Sequence, residues 1–321
     1  MRRYFYGVMV LVGLAFLAGA IPLRDRQEAP PDDWKRLIAE KGAETAYQIF
    51  KDRNATLPFG EQHTAAHEFG QALYQTVGID GVTVCDSSFG FGCYHQFFLG
   101  AIADHGLSIV RDLDGTCIRK FGFGGQGCQH GVGHGIADFL NHSITEALEI
   151  CGTMHWDKPL FGCQSGVFME HNFPTLLGEN ESQQGTRNFD PAEPFAPCLS
   201  IPERFRVACM FAQAEWWDKS TVMSYTEAAG LCRRLDEPAL ANICLTGLGT
   251  SAVSANDFEA QKVLAACREI DDPDSQFLCR VGAYWGWLDA GFKDVAKLMC
   301  EDLDLQNRTR CEKEGNLAEN L

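Results

Sequence analysis

The chain has 321 residues, with 27 basic against 43 acidic side chains (net charge −16), and it contains 14 cysteines, 9 histidines and 32 glycines. At 45% hydrophobic and 22% charged it can bury a sizeable core, which excludes wholesale disorder. Its acidity excludes a nucleic-acid partner, which needs a basic footprint, and the cysteine count excludes an ordinary reduced cytosolic protein.

In chain order, Met1-Arg2-Arg3 gives a positive start to an uncharged run, Tyr4 to Ala20, with Ala18-Gly19-Ala20 as a small-x-small cleavage site. Residues 1–23 read as a signal peptide or as a retained N-terminal transmembrane anchor, with Tyr4, Phe5 and Tyr6 suited to the interface. Either way the body is exported, periplasmic or extracellular. The membrane is a partner only if the segment is uncleaved. Residues 24–58 follow as a linker and an amphipathic lead-in helix, Trp34 to about Arg53.

Residues 59–311 carry a cysteine ladder. Taken in order as pairs, the cysteines stand 8, 11, 12, 11, 12, 12 and 11 residues apart. The second cysteine of each pair recurs at intervals of 35, 35, 46, 35, 35 and 32. A period near 35 is the signature of a helical repeat array. The fold class expected is all-α: a right-handed α/α solenoid of about six to seven helix-hairpin repeats, each junction stapled by a disulfide. The loop between paired cysteines is short enough for bridging. The pairs are therefore Cys85–Cys93, Cys117–Cys128, Cys151–Cys163, Cys198–Cys209, Cys232–Cys244, Cys267–Cys279 and Cys300–Cys311. Zinc binding by these cysteines fails on spacing, since no Cys-x-x-Cys occurs. Within the array, Asn256 with Glu259 and Ser143 with Glu146 read as helix-capping signals.

Cys-x-x-Gly recurs at Cys163/Gly166, Cys244/Gly247 and Cys279/Gly282, and helix ends of the Ala-x-x-Leu-Cys type lie at Ala228 to Cys232 and, with Met299 in place of the leucine, at Ala296 to Cys300. In these features the chain resembles the disulfide-stapled, Sel1-like solenoids of secreted bacterial proteins. That resemblance, over about residues 85–311, implies α/α repeats that bind proteins or peptides. It does not imply catalysis.

Numbered from its leading cysteine, each first helix presents a second position (His95, His130, Ser165, Phe211, Thr246, Val281) and a sixth (Leu99, His134, Met169, Glu215, Thr250, Trp285). A Gly or Ala at the third position of most units reads as a close helix approach. With Glu61 in the cysteine place, His63 and His67 take the second and sixth positions of an amino-terminal unit without a disulfide. His63-x3-His67 and His130-x3-His134 thus coincide in register, with His95 between them. Residues four apart share a helix face, and stacked helices lie about 8–10 Å apart, so the five imidazoles can converge on an ion. Glu170 and His171 extend the cluster from the next unit. His105, His142 and His155 fall outside the register and read as ordinary loop or turn residues. Residues 172–197, the extra length between Cys163 and Cys209, form an inserted loop, either a lid over the cluster or a disordered excursion. Residues 312–321 are a tail.

Two functions compete. One is an exported metalloprotein holding Zn, Cu or Fe on His63, His67, His95, His130 and His134, with hydrolytic or redox chemistry open to it. The other is a non-catalytic extracytoplasmic scaffold for a peptide or protein partner. There Trp216, Trp217, Trp285 and Trp287 are candidate contacts, although core packing suits them better.

Overall fold

In the computed structural model, the residues described are 31–155, 159–173, 187–221 and 223–316. The N-terminal run at 1–23 lies outside them, as do the central part of the inserted loop and the last residues of the tail. Among the described residues no strand occurs, and no helix is long and apolar enough to cross a membrane.

The lead-in expected as one helix is two, α1 (Pro31–Lys41) and α2 (Ala43–Asn54). Gly42 separates them at φ +83°, a left-handed conformation that glycine adopts without steric cost. Trp34 of α1 packs edge-on against Phe50 of α2 and Phe69 of α3 (Phe59–Val77), so the hairpin covers the outside of α3.

From α3 onward, most helices of one packed row are joined through a connecting helix. The chain continues through α4 (Gly92–His105), α5 (Val110–Phe121), α6 (Gln126–Phe139), α7 (Ile144–Cys151) and α8 (Cys163–Asn172). It then forms α9 (Arg206–Ser220), α10 (Tyr225–Cys232), α11 (Pro238–Ala255), α12 (Ala260–Glu269), α13 (Pro273–Asp289), α14 (Lys293–Leu298) and α15 (Leu305–Asn316). Helices α3, α4, α6, α8, α9, α11 and α13 pack each against the next in one row.

The third-position glycines explain how tightly that row packs. A Cβ built on Gly166 would lie 2.0 Å from the carbonyl oxygen of His130, and one on Gly282 would lie 1.8 Å from that of Thr246. In both cases the glycine touches the second-position residue of the preceding unit. Any side chain there would force the helices apart.

All seven cysteine pairs form disulfides between sequence neighbours, with Cα–Cα distances from 5.3 to 5.8 Å. The later cysteines sit a turn or more inside their helices: α11 begins at Pro238, ahead of Cys244, and α13 at Pro273, ahead of Cys279. The expected caps differ as well. Asn256 closes α11 instead of opening α12, its side-chain amide donating to the Ala252 carbonyl and the Tyr225 hydroxyl. Ser143 stands at the N-cap of α7 without a side-chain bond. The reciprocal capping box belongs to Ser224 and Glu227, at the start of α10.

An open solenoid would keep its first and last units apart. Here Phe59, the first residue of α3, packs on Phe258 at 4.7 Å between ring centroids and on Phe292 at 5.6 Å. The two ends of the row therefore meet, beside a half-open cavity.

Candidate metal centre

The cavity has a volume of about 500 Å³ and is lined by residues from α3 round to α13. The register set by the cysteines determines what faces it. His63, His95, His130, Ser165 and Phe211 of the second positions reach it, as do His67, His134, Met169, Glu215 and Thr250 of the sixth. Leu99 and Trp285, also sixth-position residues, are instead buried in the core.

His63 and His67 stand on α3, His95 on α4, and His130 and His134 on α6. The five do not surround a single point. They form two groups of three, His63/His67/His95 and His95/His130/His134, and the ligand nitrogens within each group lie within 4.8 Å of one another.

In the first group, Nε2 of His67 is 3.0 Å from Nε2 of His63 and 2.9 Å from Nδ1 of His95. In the second, Nε2 of His134 is 3.0 Å from Nε2 of His130. Bonds of 2.0–2.1 Å at a tetrahedral ion place its ligand nitrogens about 3.3 Å apart. An outward shift of a few tenths of an ångström would admit one.

Outer partners aim these rings. Nδ1 of His63 donates to the Phe89 carbonyl at 2.8 Å, which leaves its Nε2 lone pair facing His67. Nδ1 of His134 donates to the Glu170 carboxylate at 2.7 Å, with both side chains fully buried. Burial, followed by the neighbouring imidazoles, holds the pKa of His67, His95 and His130 well below the ordinary histidine value, so these rings are neutral at pH 7. Neutral imidazole is the form that binds a metal.

The carbonyl serving His63 comes from a strained segment. Phe89, Gly90 and Phe91 take φ of 55°, 61° and 62° in succession. Two phenylalanines in the left-handed region cost of order 1–2 kcal/mol each. A Cβ on Gly90 would also crowd Phe59 Cζ at 3.2 Å and Nδ1 of His63 at 3.3 Å.

Glu170 is thus brought to the cluster, as the partner of His134. His171, by contrast, belongs to neither histidine group among the described residues. Its pKa falls to about 4 through burial and the nearby charges of Arg187 and His142. His105 is exposed at the end of α4, and His155 is structural, its backbone and ring both bonding the buried Asp114. His142, read as an ordinary loop or turn residue, has neighbours of interest. It groups with Asp138 and Glu170, ligand atoms again within 4.8 Å. Asp138 continues the stripe of His130 and His134 by one more step of four, a signal present in the sequence and missed.

Across the cavity stand two carboxyl groups also missed, Glu215 on α9 and Asp289 on α13. Asp289 is exposed to the cavity, but the surrounding protein displaces much of the water around it; that desolvation, followed by the charge of Glu215, raises its pKa to about 7. Among the described residues no lysine or arginine lines the cavity. Of the inserted loop, the lid or excursion expected at its centre falls outside the described residues. Its return is pinned by Arg187, which donates to Asn172 and Gln213 and lies 4.0 Å over the Trp216 ring.

Taken together, these are histidine and carboxylate groups able to hold a metal ion, inside a disulfide-rich helical protein whose seven bridges point to an oxidising, extracytoplasmic setting. Comparison of the chain with known protein families, with curated proteins and with solved structures finds no match, so the Sel1-like likeness rests only on the Cys-x-x-Gly spacing and the alanine-to-cysteine helix ends.

Proposed function

We propose that the protein is an exported helical-repeat metalloprotein, its repeats curled end to end, with a transition metal held by His63, His67, His95, His130 and His134 and a small molecule as substrate in the adjoining cavity. The observation that carries this reading is the pairing of two three-imidazole groups with a cavity of about 500 Å³. Three neutral nitrogen ligands leave an open coordination position for water or substrate, the arrangement of catalytic rather than structural sites. Zinc, copper and iron all suit such ligands. Export is supported by the disulfides and by the uncharged run behind Arg2 and Arg3.

The scaffold alternative loses its candidate contacts. Trp216, Trp217, Trp285 and Trp287 are all buried, so none offers a surface to a partner.

Elemental analysis of the full chain, produced with zinc, copper and iron present, tests the proposal against the His130→Ala/His134→Ala variant. Stoichiometric metal in the wild type and a clear loss in the variant are expected. Wild-type protein without stoichiometric metal would overturn the reading, and a variant with undiminished metal would overturn the assignment of His130 and His134.

A further inference from the structure

His95 belongs to both histidine groups. Its ring centroid lies 5.0 and 4.8 Å from those of His63 and His67, and 5.1 and 5.0 Å from those of His130 and His134. The ring is therefore midway between the two pairs. An imidazole has two ring nitrogens, and each can serve one ion. Nδ1 of His95 is turned to the first pair, 2.9 Å from Nε2 of His67. If both groups are filled at once, Nε2 is the nitrogen left for the second ion.

The flanking residues fit the same division. His63 and His134 each donate Nδ1–H to a protein oxygen, Phe89 on one side and Glu170 on the other. Each is thereby fixed as an Nε2 ligand on its own side of His95. No cysteine competes, since all 14 are bonded in disulfides.

From this geometry we infer that the centre holds two ions, bridged by His95 as an imidazolate: Nδ1 binds the ion on His63 and His67, and Nε2 the ion on His130 and His134. This rests on the metal-centre reading and adds the ion count, the bridging ligand and the metal class. Filling both sites removes the one ring proton of neutral His95, which passes to solvent, and no electron moves. The ions stand about 6 Å apart across the ring, given bonds near 2.0 Å. Copper(II) and zinc(II) are the fitting class, because copper heads the affinity order for nitrogen sites and zinc accepts three imidazoles readily. Each ion keeps a free position.

Copper(II) titrated into the metal-stripped full chain tests this, with copper per chain and electron paramagnetic resonance spin per copper as readouts. The wild type should take up two coppers per chain. Its integrated spin at low temperature should fall well below two, because an imidazolate bridge couples the unpaired electrons antiferromagnetically. The His130→Ala/His134→Ala variant should bind half as much copper, with full spin. The wild-type measurement decides the matter even if that variant does not fold. Two coppers of full spin, or a single copper, would overturn the bridge and leave the metal-centre reading standing. No stoichiometric copper or zinc would overturn both.

Discussion

The Glu170 carboxylate accepts a hydrogen bond from Nδ1 of His134 at 2.7 Å, in a place where neither side chain meets solvent. A carboxylate so placed fixes the tautomer of the ring and raises the basicity of its other nitrogen. Glu170→Gln keeps the shape and an acceptor oxygen but removes the charge. Metal affinity on the His130/His134 side should fall by about tenfold or more, with circular dichroism unchanged. Competition with a chelator of known affinity measures it, and unchanged affinity would show that Glu170 does not tune the ring.

On the other side of the centre, the Phe89-Gly90-Phe91 segment holds His63 through a backbone carbonyl. In Gly90→Ala a Cβ would enter at φ +61°, 3.3 Å from Nδ1 of His63. The cost in stability should be about 1 kcal/mol, and metal affinity should fall as His63 is displaced. Urea unfolding and chelator competition on the same preparation separate the two effects.

Much of this centre is legible in the sequence because its determinants are local. The cysteine spacings set the register, a periodicity of four puts the second and sixth positions on one face, and the five histidines follow. What was not legible depends on accumulated geometry. Phe59 meets Phe258 and Phe292 only once the whole row has packed, and no spacing rule encodes that closure. Once the row closes, Glu215 and Asp289 face a cavity they share with histidines on helices distant in sequence. Nor does composition show that Phe89 and Phe91 would accept left-handed backbone, or that Gly42 would divide the lead-in helix.

The raised pKa of Asp289 has a consequence for stability. Between the ordinary aspartate value near 4 and its native value of about 7, the folded protein holds a proton that the unfolded chain releases. The native state then binds more protons, so this group's contribution falls as pH rises from about 4 to 7. Asp289→Asn removes that dependence. Its melting temperature relative to the wild type should be higher at pH 8 than at pH 5. A difference that does not change with pH would show that Asp289 is not held protonated in the fold.

The last disulfide can be removed without altering a helix that carries a candidate ligand. Cys300–Cys311, spanning 11 residues, ties α15 to the chain just after α14, and neither helix holds one of the five histidines. Cys300→Ser/Cys311→Ser should cost about 3 kcal/mol by loop-closure entropy. Metal content should be undiminished, read by denaturant unfolding and elemental analysis on the same protein.

The central claim is that histidine nitrogens from α3, α4 and α6 hold metal in the cavity. Anomalous X-ray diffraction from crystals of the metal-loaded chain, collected at the absorption edge of the bound element, tests it most directly. The expected result is anomalous density about 2.0–2.1 Å from ring nitrogens of His63, His67 and His95, with a second peak on the far side of His95 beside His130 and His134. Anomalous density only at surface residues, or none, in crystals whose five imidazoles are ordered would contradict it.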